Sequence, residues 1–308
     1  MPIKLLVRNN STRKKCTGGG GAFMRQYNQP MFTIITVCFN EKENIQRTIE
    51  SVLCQSYEDY EYILCDGGSS DGTLEIAKAY QNDFERKGIR YHIHSEKDGG
   101  IYFGMNIGVA LSTGMYLNFM NAGDEFHNRE VLAEISQHVQ ESAADILYGD
   151  IIKIERGYGK REIGNIQGIK EGMSFCHQAM FIKSELLRLH PYNTRYRIVA
   201  DYEFTLSMWK QGKKFAHVNV IVANFRAGGI STTDVEKITE EYCDVKAKAN
   251  VAFDYQKNLK SAKSDFYKWK IKNNLPKAIW KPYNCVRARK NTIEKLGEKE
   301  IESWNFYK

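Results

Sequence analysis

FTIITVCFNEKENIQRTIESVLCQSYEDYEYILCD, residues 32–66, is the stretch whose reading decides the fold. FTIITVCF is a continuous apolar run rich in β-branched side chains. It is too short for a helix and suits a strand buried on both faces, as in the interior of a parallel sheet. Asn40 ends the run and is placed to cap a helix through Ile45, Ile49, Val52 and Leu53, whose spacings of four and three make one apolar stripe. YEYILC (60–65) is then a second strand, closing at Asp66.

The same unit recurs outward from there. GGSSDGT (67–73) leads into a helix carrying Leu74, Ile76 and Ala77. IRYHIH (89–94) is a third strand, KDGGIYFGMNIGVALSTG (97–114) a loop and helix, and MYLNFM (115–120) a fourth strand. A polar helix near 129–140 precedes DILYG (145–149). Four alternations of strand and helix in about 110 residues predict an α/β fold, a Rossmann-like doubly wound and mostly parallel sheet with right-handed crossovers. The segment after the first strand, CFNEKEN, has no glycine, so the GxGxxG dinucleotide fingerprint is absent and NAD or FAD is disfavoured.

Sites in such sheets lie at the carboxyl ends of the strands. In order, those ends carry Asn40 and Glu41, Asp66, a loop with Asp98, and then Asn121 and Asp124. That convergence of carboxylates exceeds what turns need. Asp124, in NAGDEF, either caps a following helix or holds a ligand. Farther on, residues 150–172 read as a mobile, glycine-rich excursion of lid type. CHQAMFIKSELL (176–187) is a strand, closing near Cys176, and a helix. RYRIVADYEFTLSMWKQG (195–212) is helical from Ala200 with Gly212 as its C-cap; KFAHVNVIVANF (214–225) is a strand and Val235–Lys248 a helix.

Composition sets the remaining bounds. The chain has 308 residues, 42% hydrophobic, enough for one large α/β domain with additions. Its seven cysteines form no CxxC pair and three lie in or beside apolar runs, favouring reduced, core-filling thiols and a cytoplasmic setting. The net charge is +7, but residues 256–308 alone carry +9, which leaves −2 for the rest. No apolar run reaches roughly 18 residues, so no transmembrane helix is expected, and the start has no secretory h-region. Residues 1–30, with four consecutive glycines, read as a flexible or appended extension. Residues 31–233 read as the catalytic domain and 234–308 as a basic helical C-terminal region. In that region Lys alternates with Trp269, Ile271, Trp280, Tyr283 and Trp304, a mixture suited to peripheral contact with an anionic membrane at its inner, cytoplasmic face. It has no RNP, zinc or helix-turn-helix pattern, so no nucleic acid is expected.

Three stretches together, TIITVCFNEKENIQRTIESVLCQSYEDYEYILCDGGSSDGT, SEKDGGIYFGMNIGVALSTGMYLNFMNAGDEF and VADYEFTLSMWKQG, resemble the family 2 glycosyltransferases, inverting enzymes of the A-type fold, from about Met31 to Gly229. DGGSSDGT, SEKDGGIY, MNAGD and FCHQAMF resemble the bacterial branch that builds surface polysaccharide of colanic-acid or lipopolysaccharide type. The resemblance implies a UDP-sugar donor, a saccharide or polyprenyl-diphosphate-linked saccharide acceptor, and Mn²⁺ or Mg²⁺. It implies donor-binding roles for Glu41, Asp66 and Asp98, with Asn106 behind, metal binding at Asp124, and Asp201 as catalytic base. The metal motif departs from the family's pattern, with Asn121 and Gly123 where further carboxylates are usual, and Ala200 stands where a Glu usually precedes the base. His177 and Gln178 are expected to reach diphosphate or acceptor. Arg226 and GGIST (228–232) are candidates for a phosphate contact. The rival readings are a sugar-phosphate nucleotidyltransferase, which would want a glycine-rich phosphate loop after the first strand, and a non-catalytic nucleotide- or glycan-binding module, which need not keep both Asp124 and Asp201.

Overall fold

The computed structural model describes residues 29–155, 158–226 and 234–274. Three expectations lie outside these residues: the extension over 1–28, the GGIST run, and the tail beyond 274 with Trp280, Tyr283 and Trp304.

β1 (Phe32–Cys38) is buried along its whole length because it pairs on both sides, in parallel, with β2 (Tyr60–Asp66) and β4 (Tyr116–Phe119). Phe32 stands level with both Tyr60 and Tyr116. β3 (Arg90–Ser95) is parallel to β2 and forms an edge, so its exposure alternates. Beyond β4 the sheet turns mixed. Its order among the described residues is β3-β2-β1-β4-β8-β6-β9-β5, with β7 (Tyr158–Glu162) on β6. β8 (Met180–Lys183) is antiparallel to β4 and to β6 (Ile146–Glu155), whereas β6 and β9 (Phe215–Arg226) run parallel. The two-residue β5 (Glu125–Phe126) closes on β9.

Helices cover both faces, as a doubly wound sheet requires. One face buries α1 (Ile45–Leu53), α2 (Thr73–Ala79), α3 (Gln81–Arg86) and α5 (Val131–Glu141) against Phe32, Ile34 and Leu64. The other buries α4 (Ile101–Leu111), α6 (Ser184–Leu189), α7 (Ala200–Lys210) and α8 (Val235–Lys248) around Ile35, Val37 and Phe119. α4 lies close on β1 because Gly104 and Gly108, one turn apart, carry no side chain. A Cβ at Gly108 would stand 2.5 Å from Ile35 Cγ2. α9 (Tyr255–Asn274) packs on α8.

Four sequence expectations change. Asn40 does not cap α1. The chain makes a turn first, with Asn44 and Ile45 both donating to Glu41 O. Asn40 adopts φ 54° and ties to the next loop by accepting from Ser70 N and donating its own N–H to Ser69 Oγ. Residues 150–155 and 158–162 are regular strand where an irregular excursion was expected, because β6 runs on to Glu155 and β7 returns beside it. Buried Asp150 anchors this hairpin, accepting from Arg161 Nε at 2.8 Å and Gly164 N at 3.1 Å, with His217 Nε2 at 2.8 Å. Cys176 does not end a strand; it opens a 3₁₀ turn over His177–Ala179, and β8 begins at Met180. Asp124 caps no helix, since the strand β5 follows it. All five cysteines among the described residues are free.

Candidate active site

A cleft of about 750 Å³ opens at the carboxyl ends of β1 and β4, and Glu41, Asn121, Asp124, His177, Gln178, Asp201 and Arg226 all line it. The turn after β4 is shaped locally. Gly123 at φ 97° reverses the chain, Asp124 N donates to Asn121 O, and Thr48 of α1 holds the turn from below by accepting from Gly123 N and donating to Asp124 O. The Asp124 carboxylate is thereby left inside the cleft at 8% exposure, where Gln178 Nε2 donates to it at 2.6 Å. Burial pushes its pKa up to about 6, with the Gln178 bond and His177 opposing the shift. It is a carboxylate short of positive charge.

Asp201 occupies the second position of α7, where the helix dipole favours an anion. Tyr102 OH lies 2.9 Å from its Oδ1 and 2.7 Å from Ile198 O, sharing one proton between them. Burial, then the Asp201 charge, raises the Tyr102 pKa well above its usual value, so the phenol remains a donor. His177 Nδ1 stands 3.4 Å from Asp201 Oδ2, and its Nε2 lies 2.9 Å from Asn121 Nδ2. The ring therefore stands between Asn121 and Asp201, within reach of both. Cys176 beside this group is held as a neutral thiol, chiefly by burial and then by Asp124 and Asp201.

The other predicted residues divide. Glu41 lines the cleft and accepts from Asn44 Nδ2 at 2.8 Å. Asp66 is buried beside it, its carboxylate taken by Ser69 N and by Ser95 Oγ at 2.7 Å, so it holds the loop after β2. Asp98 is half-buried and accepts from Gly100 N at the mouth of α4. Asn106 faces away from the cleft lining and bonds both N and O of Tyr192. Arg226 reaches the cleft from the end of β9 and pairs with buried Glu125 at 3.3 Å, while its Nε is buried without a partner.

Three residues that hold the site have no motif around them. Glu241 of α8, buried, accepts from the backbone N–H groups of Arg197, Ile198 and Val199 at 2.8, 2.9 and 3.2 Å, fixing the approach to α7. Asn118 donates to Gln178 O and Met180 O, which positions the His177–Gln178 turn. Thr48 is the third. A polar residue at an otherwise apolar helix or strand position signals Thr48 and Asn118, and nothing local signals Glu241. Glu241→Ala leaves three backbone donors, two of them buried, without their acceptor. Its expected cost is about 2–4 kcal/mol in urea unfolding, with a fall in kcat at nearly unchanged donor KM.

Residues 33–202 match the sequence model of glycosyl transferase family 2. This chain belongs to that family. A PGL/p-HBAD biosynthesis glycosyltransferase of Mycobacterium bovis is 33% identical over 212 residues, covering 68% of this chain and 82% of that one. Glycosyltransferase GlyG of Streptococcus pneumoniae is 25% identical over 158 residues, about half of each chain. The S. aureus TarS 1–349 structure in complex with UDP superposes with a TM-score of 0.58 at 17% identity, over 74% of this chain and 68% of that one. The mannosyltransferase PcManGT of Pyrobaculum calidifontis, solved with GDP-Man and Mn²⁺, gives 0.58 at 16% identity over 85% and 81%. These two likenesses establish the A-type fold. The enzyme is a glycosyltransferase, and no helix among its described residues is long and apolar enough to cross a membrane.

Proposed function

We propose that this glycosyltransferase moves a hexosyl or N-acetylhexosaminyl group, with inversion, from a UDP-linked donor to a hydroxyl of a saccharide or lipid-linked saccharide, in the synthesis of bacterial surface glycan. The observation that carries the reading is Asp201, oriented by Tyr102 and His177 in the same cleft as Asp124. Neighbours solved with UDP and with UDP-GlcNAc support the donor class, and the mycobacterial relative's name supports a glycolipid or glycan product.

The acceptor hydroxyl attacks the anomeric carbon from the side opposite the leaving diphosphate, and its proton passes to an Asp201 oxygen. Tyr102 and His177 fix where that oxygen points, so little reorganisation accompanies the transfer. Glu41 and Asp98 are assigned to the base and ribose side of the donor, Asp66 to the loop it holds there, and Asn106 to the support behind. Gln178 and Arg226 face the diphosphate.

The residues fit a divalent cation, Mn²⁺ or Mg²⁺. Burial outweighs the partial compensation of Asp124 by Gln178 and His177, and Asn121 Oδ1 is a buried oxygen without a partner. No group of three or more His, Cys, Asp or Glu side chains gathers among the described residues, so diphosphate and water would complete the ligand set. The ion would offset the charge that grows on the leaving diphosphate.

The outer face of α9 carries Lys257, Lys260, Tyr267, Lys268 and Ile271, with Tyr267 and Ile271 exposed, and is assigned to an anionic membrane surface on the cytoplasmic side. UDP release from a panel of UDP-sugars is the direct test. Release from one donor with Mn²⁺, lost in EDTA, is expected. Failure of UDP itself to bind would remove the reading.

A further inference from the structure

The cleft has two unlike kinds of lining, and Asp201, 3.4 Å from His177 Nδ1 and near enough to Tyr242 for its charge to act on that phenol, is close to both. One is polar, with Asn121, Asp124, Gln178 and Arg226. The other is a wall of Ile151, Ile163, Met173, Phe175, Ile238 and Tyr242. Its segments are tied to one another. Ile151 is level with Glu162, the neighbour of Ile163, across the β6–β7 hairpin. A Cβ on Gly164 would stand 3.1 Å from Phe175 Cβ, and Met173 N donates to Tyr242 OH at 3.4 Å. Ile163 is 67% exposed at the rim although it is apolar.

Displacement with inversion brings the acceptor in from the side away from the diphosphate, past Asp201, and therefore along this wall. A bare saccharide there would lay hydroxyl groups against carbon and lose their hydrogen bonds to water. The wall offers few polar groups in exchange: Glu162, 3.9 Å from Lys153, the exposed Arg197, and Ser174 Oγ, a buried oxygen without a partner. An apolar group against the wall and one sugar hydroxyl at Asp201 satisfies both kinds of lining. Resting on the glycosyltransfer reading above, we propose that the acceptor is a glycoside with an uncharged aryl or alkyl aglycone, and that the aglycone lies along the wall with Ile163 at its outer edge.

The test is the dissociation constant, by titration calorimetry with UDP and Mn²⁺ present, of methyl, phenyl and octyl β-D-glucosides and β-D-galactosides below micellar concentrations. Phenyl and octyl glycosides are expected to bind at least about tenfold tighter than methyl, equivalent to about 1.4 kcal/mol. Ile163→Asp should cut that preference to below about threefold, since the substituted position is exposed and the fold does not depend on it. Leu189→Asp, at a 74% exposed apolar position of α6 outside the cleft, should leave the preference intact. Equal affinities across the series, an equal loss in Leu189→Asp, or no glycoside binding while UDP binds would each overturn the acceptor proposal and leave the nucleotide-sugar reading standing. If UDP does not bind, both fall.

Discussion

Asp201→Asn is expected to lower sugar transfer by about 10²–10⁴-fold while the affinity for UDP stays within a few-fold. The substitution is nearly isosteric, so packing at the start of α7 should survive. What changes is the charge and the hydrogen-bonding character of the group. Tyr102 OH can still donate to the side-chain oxygen at 2.9 Å, but a neutral amide NH₂ then stands where the Oδ2 anion stood, 3.4 Å from His177 Nδ1. The substitution thus removes the proton acceptor and little else. Steady-state transfer and UDP titration on the same preparation separate the roles. Loss of transfer with UDP retained supports Asp201 as base. Loss of UDP binding to a similar degree would place Asp201 on the donor side and overturn that assignment.

The parts of this site that were legible in the sequence share one property: their signals are local. β1, β2 and β4 show as largely apolar runs, interrupted only by Glu61 and Asn118 in the last two, because each is covered on both faces. Asp124 stood out because a turn of Asn121 and Gly123 does not need a carboxylate, whereas Asp201, an ordinary acid at a helix start, was marked only by the family resemblance of VADYEF. The residues that aim them signal nothing locally. Tyr102 reads as part of an apolar helix, yet its hydroxyl crosses to Asp201, 99 positions later. Glu241 reads as one acid among several on α8, and only the fold brings it beneath residues 197–199. The β6–β7 hairpin was hidden for a related reason. Its glycines and charges look like loop chemistry until buried Asp150 is seen joined to Arg161 and His217. Asn40 misled in the opposite sense. An asparagine after a strand is a reasonable cap, but at φ 54° it serves the loop after β2 instead.

Asp124→Asn is expected to make the metal-free enzyme more stable and the loaded enzyme nearly inactive. In the folded chain burial raises the Asp124 pKa from 3.8 to about 6. An acid whose pKa is raised by folding destabilises the folded state above that value, where the carboxylate is ionised in both states. The penalty vanishes below the unfolded value, where both are protonated. A shift of about two units corresponds to roughly 3 kcal/mol. Asparagine removes that penalty but weakens the 2.6 Å bond from Gln178 Nε2, now to a neutral acceptor, so a net gain of about 1–2 kcal/mol is expected. Thermal unfolding in EDTA should show the variant several degrees more stable at pH 8, with the advantage shrinking through pH 6 and gone near pH 4. Glu125, also pushed up by burial, is present in both proteins, whereas His177 and Arg226, which favour the Asp124 carboxylate, already act within its net shift. UDP with Mn²⁺ should then raise the melting temperature of the wild type and leave the variant nearly unmoved, while transfer falls by at least about 10²-fold. A variant less stable than the wild type at pH 8 would mean that Asp124 holds the turn rather than waiting for a cation. A variant that still gains stability from UDP and Mn²⁺ together, beyond UDP alone, would place the metal elsewhere. The two measurements test one idea: a charge that the fold alone compensates only in part is kept because the substrate complex compensates the rest.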